Sequence, residues 1–279
     1  MKIKISILIG LLFIFISAIE TSAQFHDPKK GGGEPDPQLS QKDNDYLDRQ
    51  AKVFLDTVQS ILSENLPSVP ENRDRAMAKL LMDAVFHEHY AAFREPVQQF
   101  FHERVNRVIN ELEETTVQEG IRIWKIYDMG FIARTKTVTL AFDLVSGITS
   151  GSEDFAINAE EMDRIVKQCD ALLITHRHDD HAEKNVAERF IEKGLPVLSP
   201  EEVWQDDVIH SKIMHPNRDA NKTQKLKLQK YNLDLIVFPG HQMGSITNNV
   251  YLVQLLKELF LHIPAIKLMK GILWLTLTG

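Results

Sequence analysis

Apolar residues in the first half of the chain recur with the spacing of one face of a helix. Three such stretches lie between residues 40 and 117. Pro67 and Pro70 separate the first two stretches, and Pro96 stands where the third begins, a position at which a helix tolerates proline. The pattern therefore predicts a segment of three amphipathic helices over residues 42–118.

The pattern changes after Gly120, where apolar and other residues begin to alternate as they do in strands. A return to helical spacing over residues 183–193, followed by Gly194 as a C-terminal cap, predicts one helix among the strands. We therefore expect a domain of mixed α and β structure over residues 119–253. The predicted strands cover residues 121–123, 138–144, 171–174, 196–199, 233–238 and 249–253.

The N-terminus has the three parts of an export signal. Lys2 and Lys4 precede an apolar stretch, and the small residues up to Ala23 form a cleavage site, so residues 1–23 are expected to be a signal peptide. An uncleaved anchor helix is the alternative, but the apolar stretch is short for a membrane span. Residues 24–41 are rich in glycine and proline and are predicted to be a flexible tether. Export to the periplasm or the exterior, without a stable membrane anchor, is the expectation.

Composition and charge narrow the class of partner. The chain has 279 residues, of which 43% are hydrophobic and 25% charged, as in ordinary globular proteins. Its formal net charge of −7 does not favour binding to nucleic acid, so a small-molecule substrate is expected. Cys169 is the one cysteine and precedes a predicted buried strand, so we expect an inert core thiol and no intrachain disulfide.

The strongest chemical signal is the sequence Thr-His-Arg-His-Asp-Asp-His over residues 175–181, directly after the predicted buried strand at 171–174. In an extended or turn conformation His176 and His178 can face the same way, with Asp180 and His181 following round the turn. Neutral imidazoles suit Zn, Fe, Ni or Cu, and a mixed histidine and carboxylate set favours Zn or Fe. A polar surface loop is the alternative, but three of the chain's 11 histidines lie here. We predict a metal site.

A second signal, Pro-Gly-His-Gln-Met-Gly-Ser over residues 239–245, again follows a predicted strand. Together the two motifs resemble those of the metallo-β-lactamase superfamily: residues 175–181 are similar to its HxHxDH signature, and residues 239–245 look like its later Gly-His loop. Phe142 and Asp143 resemble the end of the strand that precedes the metal loop in these folds. The resemblance covers roughly residues 121–253.

The resemblance implies an α/β fold, the αββα sandwich of this superfamily, with its second half incomplete here and preceded by the helical segment. It also implies that His176, His178 and His241 hold one metal ion, and that Asp180 and His181 form part of a second site. The family's bridging aspartate and further histidine have no clear counterpart in the sequence. Zinc is the expected metal, with one ion bound and two in an intact member; iron or manganese are the alternatives.

The implied function is hydrolysis. Metal-bound hydroxide would attack a carbonyl or phosphoryl ester-like bond, while Asp180 orients the water or takes its proton. Members of the family cleave lactams, lactones, thioesters and phosphoesters, so the substrate stays open. The alternative function is that of an inactive metal-binding or interaction protein derived from a truncated hydrolase fold.

Residues 254–279 break the expected pattern and form an aberrant hydrophobic tail. One interpretation is a hydrophobic closing helix, in which Lys267 and Lys270 argue against a membrane span. The other comes from the genetic code. Read in a shifted frame, the codons of residues 262–267 can encode His-Thr-Gly-Asp-Gln, which is similar to the family's bridging-aspartate strand. We therefore hypothesise a frameshift after about Val253, which the alternative frame of the gene would test.

Overall fold

A computed structural model describes residues 36–68, 70–147, 155–256 and 259–263. The predicted signal peptide, most of the predicted tether and residues 264–279 of the tail lie outside these residues, so the expectations for them stay predictions. The frameshift hypothesis concerns the gene and also stays a prediction.

The N-terminal segment contains the three predicted helices: α1 (Gln41–Glu64), α2 (Arg73–Phe86) and α3 (Glu95–Glu114). The Ser40 side chain accepts a hydrogen bond from the backbone N–H of Asp43 and so caps α1, and Pro96 lies in the first turn of α3 as expected. A short 3-10 helix, Ala91–Phe93, joins α2 to α3. Within the described residues, none of the helices has the length and apolar character that a membrane span requires.

The first sheet has five strands: β1 (Arg122–Lys125), β2 (Phe131–Arg134), β3 (Thr139–Phe142), β4 (Ala171–Leu173) and β5 (Val197–Leu198). They lie in sequence order, antiparallel from β1 to β3 and parallel from β3 to β5. The parallel connections run through α4 (Ala159–Lys167) and α5 (Lys184–Glu192). Parallel order places the C-terminal ends of β3 and β4 side by side, where the predicted metal loop begins.

The second sheet is an antiparallel meander of four strands: β6 (Gln224–Lys227), β7 (Asn232–Gln242), β8 (Ile246–Leu256) and β9 (Leu259–Ile263). Its inner face packs against the first sheet through a buried cluster that includes Leu140, Phe142, Leu235, Val237 and Tyr251. The other face of the first sheet is covered by helices α3, α4 and α5. The predicted mixed α/β architecture, with a helical segment before it, is confirmed.

Several elements differ from the sequence-based expectation. Strands β2 and β6 and helix α4 were not predicted, and the closing-helix interpretation is wrong for Leu259–Ile263, which form β9. The predicted Gly-His loop is also corrected, because β7 extends through Gly240 and His241 to Gln242. The strand is longer because Pro239, Gly240 and His241 pair with Asn249, Asn248 and Thr247 of β8, and these partners continue the ladder.

Candidate metal centre

The loop over residues 175–181 leaves the C-terminal end of β4 with alternating exposure. Thr175 and His176 are buried, Arg177 and Asp179 are exposed, and His181 is buried again. The chain bends after Thr175 and turns at residues 179–181, where the N–H groups of His181 and Ala182 donate to the His178 carbonyl, and this turn returns His181 to the interior. The loop follows the buried strand as expected, and the ligand role of its histidines stays a prediction.

His176 and His178 meet at their ring nitrogens. His176 Nε2 lies 3.0 Å from His178 Nδ1, and His176 Nδ1 lies 3.0 Å from Thr175 Oγ1. The Thr175 hydroxyl donates its single proton to Asp143, so its oxygen can only accept from His176 Nδ1–H. This assigns the proton of His176 to Nδ1 and leaves the lone pair of Nε2 directed towards His178.

A candidate metal cluster is formed by His176, Asp180 and His181, whose ligand atoms all lie within 4.8 Å of one another. The rings of His176 and His181 are 3.8 Å apart between centroids, and His181 Nε2 lies 3.5 Å from Asp180 Oδ2. Three of the five sequence-predicted ligands are therefore brought together here, and His178 lies against His176.

Asp143 is the residue that orders this loop, and the sequence alone did not assign it a role. It follows β3 directly, is buried, and has a positive φ of 45°. Its carboxylate accepts hydrogen bonds from the Thr175 N–H at 2.7 Å, the Thr175 hydroxyl at 2.8 Å and His181 Nδ1–H at 2.8 Å. A histidine that gives its Nδ1 proton to a carboxylate presents Nε2 for a metal. The available signal was a carboxylate at the end of the strand beside β4.

The two buried imidazoles have opposite electrostatic environments. Burial, followed by the proximity of His181 and His178, lowers the pKa of His176 to about 3, which keeps it neutral. Burial also opposes protonation of His181, but the hydrogen bond and charge of Asp143 outweigh it, so the pKa of His181 is raised. His176 is thus held in the neutral form that binds metals.

The donor set fits a transition-metal ion. Two imidazole nitrogens bound to one tetrahedral zinc at about 2.0–2.1 Å stand about 3.4 Å apart, close to the 3.0 Å between His176 Nε2 and His178 Nδ1. Nitrogen ligands with one carboxylate favour Zn or Fe over Ca or Mg. His176 and His178 could therefore share one ion, and Asp180 with His181 could contribute to a second.

His241 lies on the inner face of the second sheet, near the tip of the β7–β8 hairpin. Alternate residues of a strand share a face, and Leu235 and Val237 of β7 are buried against the first sheet, so His241 belongs to that face. It is exposed and pairs with Thr247. It is not part of the cluster of His176, Asp180 and His181. Its role as a ligand stays a prediction.

Two contacts align this hairpin with the metal loop. The N–H of Asn249 donates to the Thr175 carbonyl at 2.8 Å, and the Tyr251 hydroxyl donates to the Ile174 carbonyl at 2.9 Å. One pair further along the same face comes the pair of Thr247 and His241. His241 therefore stands at the level where the loop continues from Thr175 into His176.

Comparison with known proteins agrees with this geometry. No protein-family model matches the chain. A stretch of 113 residues, 39% of the chain, is 35% identical to hydroxyacylglutathione hydrolase of Chelativorans sp. (strain BNC1), an enzyme of the metallo-β-lactamase fold. Over this stretch the chain resembles an enzyme of the metallo-β-lactamase superfamily. It spans 40% of the length of that relative.

More distant likenesses to this chain occur among solved structures. Igni18, a metallo-hydrolase from Ignicoccus hospitalis, is 16% identical with a TM-score of 0.33, over 48% of this chain and 56% of that one. The diiron β-hydroxylase CmlA from Streptomyces venezuelae is 18% identical with a TM-score of 0.34, over 50% of this chain and 28% of that one.

Proposed function

We propose that the protein is a metal-dependent hydrolase that cleaves a carbonyl or phosphoryl ester-like bond in a small molecule. The observation that carries the proposal is the cluster of His176, Asp180 and His181, in which Asp143 fixes the free nitrogen of His181. The curated relative supports the reaction class, and its name suggests a thioester of glutathione as one substrate to test.

In this proposal His176, His178 and His241 hold one ion, while Asp180 and His181 contribute to a second. A bound ion supplies an acidified water as nucleophile and polarises the oxygen of the bond under attack. Asp180, whose side chain is 39% exposed beside His181, is the catalytic residue that orients the attacking water and takes its proton. His241, exposed at the hairpin tip, closes the site from the opposite sheet.

Zinc is the metal we propose, because neutral imidazoles bind it well and the pKa of His176 is far below neutrality. We also propose that the protein is exported, on the basis of the basic start and apolar stretch of residues 1–23. N-terminal sequencing of protein from the periplasm or medium would test export, and a mature chain that retains residue 1 in the cell interior would contradict it.

The function is tested with the full chain loaded with zinc and assayed on an acylglutathione thioester, a lactone, an acyl ester and a phosphodiester. We expect turnover of at least one substrate class and its loss in His176→Ala. His87→Ala is the matched control, since that histidine is exposed and, among the described residues, its ring is bonded to Asp83 of the preceding helix. Metal binding without turnover that depends on His176 would instead favour the inactive metal-binding protein.

A further inference from the structure

Asn249 and Tyr251 form a buried pair on the inner face of β8, and both have 0% exposure. The Asn249 side-chain Nδ2 donates to the Tyr251 hydroxyl at 3.0 Å, and that hydroxyl donates to the Ile174 carbonyl at 2.9 Å. The Asn249 backbone N–H is bonded to the Thr175 carbonyl. The position and the orientation of the Asn249 amide are therefore both fixed, next to the start of the metal loop.

One atom of this pair has no partner. Asn249 Oδ1 is buried and accepts no hydrogen bond from the described residues. A buried polar atom left without a partner is costly, so an orphan in a network this well ordered calls for an explanation. Because the Nδ2 end of the amide is directed to Tyr251, the Oδ1 end is directed away from Tyr251.

His241 carries a ring N–H donor on that face. It pairs with Thr247, two residues from Asn249 towards the tip, so the two residues are diagonal neighbours across the β7–β8 ladder. Diagonal neighbours on one face lie within reach of aromatic and long side chains. No described residue is hydrogen-bonded to the imidazole ring of His241.

We propose that Asn249 is a positioning residue for His241: its orphan Oδ1 accepts the Nδ1–H of His241 when that imidazole turns inward, which directs Nε2 towards the ion shared with His176 and His178. The inference rests on the proposed function, in which His241 is a ligand. Tyr251 acts one step further out, since its hydroxyl fixes which end of the Asn249 amide faces His241. Asp143 and Thr175 do the same for His181 and His176.

The central test is a double-mutant cycle on zinc affinity. The metal-free full chain is titrated with zinc in competition with a chromophoric chelator, for the wild type, Asn249→Ala, His241→Ala and the double variant. We expect Asn249→Ala to weaken zinc binding about 10- to 100-fold, the usual range for a lost partner of a metal-bound histidine. In the His241→Ala background the same substitution is expected to have no further effect, because Asn249 acts through that ring.

A milder variant protects the test against misfolding. Tyr251→Phe removes one oxygen from the network and is expected to weaken zinc binding in the same direction by a smaller factor. Tyr231→Phe is the matched control, because the Tyr231 hydroxyl also donates to a backbone carbonyl, that of Thr137 in the turn between β2 and β3, at the opposite end of β3 from the metal loop. It is expected to leave zinc affinity unchanged.

A spectroscopic readout separates positioning from general stability. In zinc-bound protein with 15N-labelled histidine, we expect a hydrogen-bonded Nδ1 proton on His241, identified by its absence in His241→Ala and lost in Asn249→Ala. Equal weakening by Asn249→Ala with and without His241, or unchanged affinity in Asn249→Ala, would overturn the inference while leaving His241 as a ligand. Unchanged affinity in His241→Ala itself would overturn both the inference and the proposed ligand set.

Discussion

The carboxylate of Asp143 accepts three hydrogen bonds at one point of the metal loop, so its neutral replacement has a defined effect. Asp143→Asn replaces the anion that raises the pKa of His181 with a neutral amide. The NH2 group of that amide cannot accept a hydrogen bond, so at least one of the present donors loses its acceptor. We expect zinc affinity to fall about 10- to 100-fold and the free energy of unfolding to fall by about 1–3 kcal/mol. Zinc titration and urea denaturation measure the two effects.

The control for Asp143 lies at the other end of β3. Asp170 accepts a hydrogen bond from the Thr139 N–H at 2.8 Å, far along the strand from the loop. Asp170→Asn is expected to lower stability without changing zinc affinity. A similar loss of affinity in both variants would show that Asp143 acts only by holding the sheet together.

Lys125 makes the free energy of unfolding depend on pH in the alkaline range. It is 4% exposed and donates to the backbone carbonyls of Asp128 and Gly130. Burial, opposed in part by Asp128 and Asp143, lowers its pKa to about 8. Between that pH and the pKa of about 10.4 of an unfolded lysine, the unfolded chain binds more protons, so stability rises with pH.

The Lys125 effect is measured against Lys125→Met. From pH 7.5 to pH 10 we expect the free energy of unfolding of the wild type to rise by about 2 kcal/mol relative to the variant, as the linkage relation gives for these pKa values. Urea denaturation at both pH values provides the numbers. Parallel pH profiles for the two proteins would show that Lys125 keeps its usual pKa.

At the scale of single residues, the sequence predicted the histidines of the loop but not the groups that orient them. His176 and His181 could be singled out because the histidines of the loop are chemically distinctive and closely spaced. Asp143, Asn249 and Tyr251 act through hydrogen bonds to residues more than 30 positions away or on the other sheet, and these contacts exist only after the sheets have packed.

Among the elements, helix α3 links the helical segment to the sheets. Its first half packs with α1 and α2 through Val97 and Phe100, and its second half belongs to the cluster that covers the first sheet. Within that second half, Ile109 is completely buried. The predicted boundary at residue 118 therefore divides the sequence pattern, whereas the apolar clusters of the two segments adjoin along α3, where Phe101 packs against both.

Ile109→Ala tests whether the two apolar clusters unfold together. We expect it to cost about 2–5 kcal/mol and to shift unfolding followed by helical circular dichroism and by tryptophan fluorescence to the same lower urea concentration. Trp124, in β1, reports on the sheet and donates to Glu111 of α3 at 3.1 Å. Val53→Ala, on the exposed side of α1, should change stability by less than about 0.5 kcal/mol. Two separated transitions would argue for independent segments.

Element boundaries were predicted well where the hydrophobic pattern was long. They were predicted poorly where hydrogen-bonded pairing with another strand determines the end of the element. The three helices and β4 followed from periodicity, because one buried face or a buried run marks them directly. Strand β7 runs four residues beyond the predicted end at Phe238, through Pro239, because β8 supplies a partner for each residue up to Gln242. Short strands such as β2 carry too few residues to show a period.

For the whole molecule, the layer arrangement aligns the β7–β8 hairpin with the start of the metal loop. Parallel order puts the ends of β3 and β4 together, and the contacts of Asn249 and Tyr251 align the second sheet with them. Sixty-five residues separate His176 from His241 in the sequence, yet one pair of the β7–β8 ladder separates His241 from the residue bonded to Thr175. This proximity is the structural basis of the prediction that concerns metal content.

We expect the full chain to bind about one zinc ion tightly rather than two. Three histidines are assigned to one ion, whereas the second site has only Asp180 and His181 among the identified ligands, too few for the four-coordinate geometry that zinc favours. Binding to the folded state alone should stabilise it by about 2.7 kcal/mol when free zinc is 100 times its dissociation constant. Elemental analysis after gel filtration gives the stoichiometry, and thermal unfolding with zinc or with a chelator gives the stabilisation.

His178→Ala and His241→Ala should reduce that stabilisation equally, since each removes one of three imidazoles, and His87→Ala should leave it unchanged. Two tightly held ions per chain would contradict the single site, and full stabilisation in His241→Ala would remove the hairpin from it.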